Sequence, residues 1–208
     1  MTQAIIQFAQ DERISSPGRG SVEAMEAKID TAQTLLKQDR RRGLAMLNDL
    51  FRAGTPPDPP LHGRYAGPLV ALDIAPGLTH LTQMIVNTWL PWQGKTFDAD
   101  QNHGDNIFTR DSLALAQLYW PLYRGYVDDS PQTYRAFAFR TYIAPGLADP
   151  DRQVLKIDYD LPGNPRLSIR RVLDELVQIA PGFYLGKAHL HWWWGQWQLV
   201  AYFSLRTG

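Results

Sequence analysis

The stretch PGFYLGKAHLHWWWGQWQLVAYFSLR, from Pro181 to Arg206, limits what the chain can fold into more than any other segment. Pro181-Gly182 opens a run dense in Tyr, Trp, Phe, Val and Leu, Gly195-Gln196 interrupts it, and a second such run follows. These residue types suit a pleated, half-buried surface and the interruptions suit turns, so the pattern predicts a β-hairpin. Four of the seven tryptophans fall between Trp192 and Trp197, and at about 150 to 250 Å² per ring their burial would supply a large share of a core. A hairpin of this kind needs further strands to cover it.

Those strands are legible upstream. TYRAFAFRTYI from Thr133, VLKIDYDL from Val154 and RRVLDELVQI from Arg170 have β texture and are separated by Pro, Gly, Asp and Asn clusters. Strands joined by short polar turns, with no regular alternation of helices, predict an antiparallel sheet closed or nearly closed on itself. Gly94 to Asp98 reads as a strand entering a polar loop. That loop begins like a calcium loop, with Asp98, Asp100 and Asn102 at alternate positions, but His103 and Thr109 stand where Gly and Glu are required, so an Asx-rich turn is the expectation.

The first third is different. Val22, Met25, Ile29, Ala32 and Leu36 recur at helical spacing behind Ser21, and Leu44, Leu47, Leu50 and Phe51 resume the stripe after the charged residues from Gln38 to Arg42. This predicts an amphipathic helix followed by a second helix or a bent continuation, ending near Arg52. GTPPDPP can be neither helix nor central strand, so residues 1–60 are expected to be a helical segment with a Pro-rich linker and 61–208 a barrel domain. Short capping helices are expected from Leu78 to Leu90 and from Ser112 to Tyr123.

Composition narrows the function classes. Lys plus Arg equals Asp plus Glu at 21 each, which gives no field for a polyanion, so no nucleic-acid partner is expected. The chain has no cysteine, which removes disulfides, thiolate metal sites and a cysteine nucleophile and suits a reducing compartment. With no basic start followed by an apolar run, and no run of about 18 apolar residues, the expectation is a cytoplasmic chain without a transmembrane segment. Nucleophile elbows, phosphate-cradling loops and dinucleotide fingerprints are missing, so no cofactor is expected.

Five segments, in order, carry a resemblance: GRYAG (Gly63 to Gly67), PWQGKTFD (Pro91 to Asp98), KIDYDLP (Lys156 to Pro162), VLDELVQIAPGFYLGKA (Val172 to Ala188) and VAYFSLR (Val200 to Arg206). Together they resemble the GXWXG-type domain proteins, with their G-x-W-x-G head, W-x-GK-x-F and YD-x-P elements, aspartate followed by LG, and closing aromatic strand. Tyr65 stands in place of the usual Trp, and Gly163-Asn164 where the family has aliphatic residues. The resemblance covers about two thirds of the chain and implies a small lipocalin-like barrel. Because the family is largely uncharacterised, it implies no reaction and no particular ligand.

Three readings of function stay open. The richness in rings favours a barrel that binds a lipophilic small molecule, such as a fatty acid, isoprenoid or tetrapyrrole-like compound, with Tyr65, Trp92, Lys95, Phe97, Phe139, Tyr159, Tyr184, Trp192, Trp194 and Tyr202 as candidate lining residues. A second reading is a cofactor-independent isomerase or cyclase drawing its acid and base from Asp158, Asp174, Lys187, His189 and His191. If such groups, with Lys95 and Lys156, point into the barrel, each must be paired. The third is a structural or protein-interaction domain with a filled core, self-association running through the N-terminal helices. His189 and His191, two apart on one strand, project about 6.5 Å apart; two imidazoles fall short of a complete metal site, and no metal is expected.

Overall fold

A computed structural model describes residues 19–72 and 91–207. The helix expected over Leu78 to Leu90 lies outside the described residues. Two helices come first, α1 (Arg19–Gln38) and α2 (Arg40–Ala53). They are separate because Asp39 adopts an extended backbone and its Oδ1 accepts the Arg42 N–H at 3.1 Å, which satisfies one of the free donors of a new helix start.

Among the described residues ten strands follow: β1 (Gly63–Ala66), β2 (Leu69–Leu72), β3 (Trp92–Asp98), β4 (His103–Thr109), β5 (Val127–Asp128), β6 (Thr133–Pro145), β7 (Gln153–Asp158), β8 (Val172–Ala180), β9 (Phe183–His191) and β10 (Trp197–Thr207). A short helix, α3 (Leu113–Tyr119), stands between β4 and β5. Hydrogen bonding runs β1-β3-β4-β6-β7-β8-β9-β10 and returns from β10 to β1, all antiparallel, so eight strands close a barrel. β2 pairs with β10 and β5 with β6 as outer additions. The fold is therefore mainly β: an antiparallel, lipocalin-like barrel with an N-terminal helical segment.

Closure depends on close backbone approach around β1. A Cβ on Gly94 would lie 2.0 Å from the Tyr65 carbonyl oxygen, and one on Gly67 1.9 Å from that of Ser204. Only glycine fits at either place.

The wall separates two apolar clusters. Inside, Tyr65, Phe97, Phe139, Tyr184, Phe203 and Leu205 fill the barrel, and several of these rings meet edge to face at about 5.5 Å between centroids. Outside, Ile29, Ala32, Leu47 and Phe51 of the helices cover Val154, Val177, Leu185 and Tyr202 of the wall. Strands from β7 to β10 are thus buried on both faces, which explains why β9 alternates so poorly in sequence. The apolar stripe of α1 and α2 is thereby taken up within the chain. Among the described residues no helix is long and apolar enough to cross a membrane.

Two expectations need correction. The strand expected from Arg170 starts at Val172, because Ile169–Arg171 forms a 3-10 turn. The tryptophans of the terminal hairpin also contribute less to the core than their number suggests. Residues 192–196 form the turn itself, closed by the Gly195 N–H to the Trp192 carbonyl at 2.9 Å, with Gly195 at φ +87. Only Trp192 is buried; Trp193 and Trp194 are 65 % and 56 % exposed, and Trp197 41 %.

Candidate functional site

Near the end of the barrel where β3 and β8 begin and β4 ends, Trp92, Phe108, Phe137, Ile169, Val172 and Phe203 line a pocket with Lys95, Asn106, Tyr159 and Asp174 among its walls. The space between these side chains is about 450 Å³ counted out to its open mouth. Deeper in, Tyr65, Phe97, Phe139 and Tyr184 close the barrel as a stack of edge-on rings. What is open is a narrow recess with one polar wall.

That wall is a charge pair inside the barrel. Lys95 is brought inward by β3 and Asp174 by β8, and both are about 2 % exposed. The Lys95 ammonium donates to Asp174 Oδ2 at 2.9 Å, to Asn106 Oδ1 at 2.8 Å and to the Tyr159 hydroxyl. Tyr159 in turn lies 3.0 Å from Asp174 Oδ2 and 3.1 Å from Asn106 Oδ1, and Trp92 donates its indole N–H to Asn106 Oδ1 at 3.2 Å. Four rings, those of Trp92, Phe139, Tyr159 and Phe203, sit with centroids 5.1 to 5.5 Å from the ammonium nitrogen. A desolvated cation gains from such ring faces. Burial pulls the Lys95 pKa below its ordinary value, with Asp174 opposing the shift. Burial first, and the Asp174 charge second, push the Tyr159 hydroxyl well above the usual tyrosine range, so it stays a phenol.

Asn106 is held in register by a β-bulge. Between Gly104 and Asn106 the pairing with β6 slips, and Phe137 takes φ +57, unusual for a bulky side chain. Ala136 and Phe137 consequently both point into the interior core. The Phe137 carbonyl accepts the Asn106 side-chain amide at 3.1 Å, while its N–H donates to the Tyr123 hydroxyl at 2.6 Å. The strained residue thus fixes both a pocket ring and the orientation of Asn106.

The sequence-derived candidates divide into several groups. Trp92, Lys95, Tyr159 and Asp174 converge on the pocket; Tyr65, Phe97, Phe139 and Tyr184 form its packed floor. Tyr202 lies in the outer cluster against the helices, and Trp192 and Trp194 stack on each other in the hairpin turn, 4.6 Å apart. Lys187 faces outward, where it bonds Asp149 at 2.7 Å and Asn48 at 2.8 Å beneath the Phe51 ring. Asp158, also outside, receives Arg140 at 2.7 Å, and Lys156 pairs with Glu175 on the same outer wall. His189 is buried among the outer groups with neither ring nitrogen bonded to any of the described residues, and His191 stacks on Trp197. The acid–base candidates therefore do not converge: Asp174 is on one side of the wall, and Asp158, Lys187, His189 and His191 are on the other. Among the described residues no three His, Asp or Glu side chains group as metal ligands.

Asn106, Phe108, Phe137, Ile169 and Val172 are pocket residues that sequence reading missed, whereas Phe203, one of the rings it counted toward a binding surface, does line the pocket. Gly104, Asn106 and Phe108 alternate within HGDNIF, a period-two signal for an inward strand face that begins as soon as the Asx-rich turn ends at Asn102. Searches against protein-family models, curated proteins and solved structures return no match. The case for function therefore stands on the site itself.

Proposed function

We propose that the barrel binds a small apolar or aromatic molecule in this pocket, seated against the Lys95–Asp174 centre. The observation that carries the reading is the placement of a buried, hydrogen-bonded charge pair at the polar wall of an otherwise apolar recess open at one end. Packing alone gives no reason for it, since replacing such a pair by apolar side chains is often neutral or stabilising. Convergent polar groups in an apolar pocket are the usual mark of a ligand site. The narrow free space favours a compact molecule of one or two rings over a tetrapyrrole or a long acyl chain. We extend the proposal to kinship: Trp92, Lys95, Tyr159 and Asp174 come from the W-x-GK, YD-x-P and aspartate-to-LG segments, as a shared site in GXWXG-type domains would require.

One observation favours a second reading, proton transfer on a lipophilic substrate: among the described residues Asp174 keeps one carboxylate oxygen without a donor beside apolar walls, as a general base would need. Equilibrium binding of a lipophilic fluorescent probe tests the first reading. Saturable binding that Val172→Trp abolishes, with the β circular-dichroism spectrum preserved, is the expected result. Binding unchanged by that substitution would place the ligand elsewhere and overturn the proposal.

A further inference from the structure

The hydrogen-bonding capacity left over in the pocket says what kind of head group it accepts. Lys95 has three protons to give, and all three go to protein acceptors: Asp174 Oδ2, Asn106 Oδ1 and the Tyr159 hydroxyl. The Trp92 indole N–H is given to Asn106, and Tyr159 has acceptors on both sides within 3.1 Å. Asn106 gives one amide hydrogen to the Phe137 carbonyl. Apart from the second amide hydrogen of Asn106, the donors are therefore engaged. The acceptors are not, because Asp174 Oδ1, buried on a residue that lines the pocket, has no protein donor among the described residues. The formal charges of Lys95 and Asp174 also cancel.

From this accounting, and resting on the binding proposal above, we infer that the pocket selects neutral ligands that present a hydroxyl or N–H donor to Asp174 Oδ1 on an apolar, aromatic body. A ligand carboxylate would meet a free carboxylate oxygen of like charge and at most one amide hydrogen. An ether of the same shape would leave Oδ1 unsatisfied. Hydrogen bonds to a charged group contribute roughly 1.5 to 3 kcal/mol, which corresponds to about tenfold or more in affinity.

A matched set tests this: 2-naphthol, 2-methoxynaphthalene and 2-naphthoate, titrated by calorimetry into the wild-type protein at neutral pH. Naphthol is expected to bind at least about tenfold more tightly than either analogue, with Val172→Trp removing its binding. In Asp174→Asn the advantage over the ether is expected to shrink to less than about threefold, and since the wild-type series decides the matter alone, a misfolded variant does not obscure the result. Equal binding of all three would overturn the donor rule and leave the binding proposal standing. Tightest binding of the naphthoate would do the same. If none of the three binds, both the rule and the binding proposal fail.

Discussion

Lys95 is the residue on which the site depends, because its ammonium holds Asp174, Asn106 and Tyr159 in one arrangement and is itself buried. Removing one partner of such a pair leaves an uncompensated buried charge. Lys95→Met, or Asp174→Asn with Lys95 intact, is expected to cost about 3 to 5 kcal/mol in urea unfolding. The double variant Lys95→Met/Asp174→Leu should recover most of that loss, and a double variant less stable than Lys95→Met alone would contradict the pairing. His189 offers a second test on the outer wall. Burial is the main cause lowering its pKa, Glu175 and Asp174 oppose it, and Lys187 and Lys156 add to it. The unfolded chain takes up a proton near pH 6.5 that the native state resists, so stability falls as pH drops from about 6.5 toward the native pKa. His189→Leu, which also removes two buried ring nitrogens without partners among the described residues, is expected to be at least as stable as wild type at pH 7 and to lose less stability between pH 7 and 5. A larger loss in the variant would be the contrary result. Lys95 and Asp174 were legible as charges lying within the family-like PWQGKTFD and VLDELVQIAPGFYLGKA segments. Their side of the wall was not legible, because β8 and β9 are apolar on both faces, and Asn106 was hidden by the Asx-rich turn before it.

At the scale of elements, barrel closure rests on short β1, which pairs with only two residues of β10. Gly63 and Gly94 both have positive φ, yet they differ in surroundings: a Cβ at Gly63 meets nothing within 4 Å, whereas one at Gly94 meets the Tyr65 carbonyl. Gly63→Ala should therefore cost only the backbone penalty, about 1 to 2 kcal/mol. Gly94→Ala must also part β1 from β3, and a loss of roughly 3 kcal/mol or more is expected. Similar thermal midpoints for the two variants would contradict this account of closure. Strands β6, β7 and β10 were legible because their residue types and flanking turns agree. The start of β8 was not, since Arg170 and Arg171 abut the apolar run from Val172, while the Arg170 N–H reaches back to the Pro165 carbonyl at 3.1 Å and winds them into a turn. The hairpin tryptophans misled for a related reason: composition marks a segment as β without saying where its turn begins.

For the whole molecule, the barrel carries ion pairs on its outer wall, and α2 covers the buried Lys187–Asp149 pair among them. Arg52 of α2 pairs with Asp149 and, at 2.9 Å, with Asp151, while Lys187 is sealed beneath Phe51. Each large side chain such as Leu47 or Phe51 contributes about 1.5 to 3 kcal/mol by burial. A chain starting at Leu61 is expected to keep its β spectrum, melt at a lower temperature and bind a hydrophobic dye. Unchanged melting would mean that the helices add nothing to the barrel. The central claim, that the interior pocket at Lys95 and Asp174 takes the ligand, is tested most directly by the indole N–H signals in a 2-naphthol titration followed by nitrogen-edited NMR, with Trp92 assigned through Trp92→Phe. The account expects the Trp92 signal to shift saturably while those of exposed Trp193 and Trp194 stay in place; a saturable shift confined to the hairpin tryptophans, with Trp92 unmoved, would contradict it.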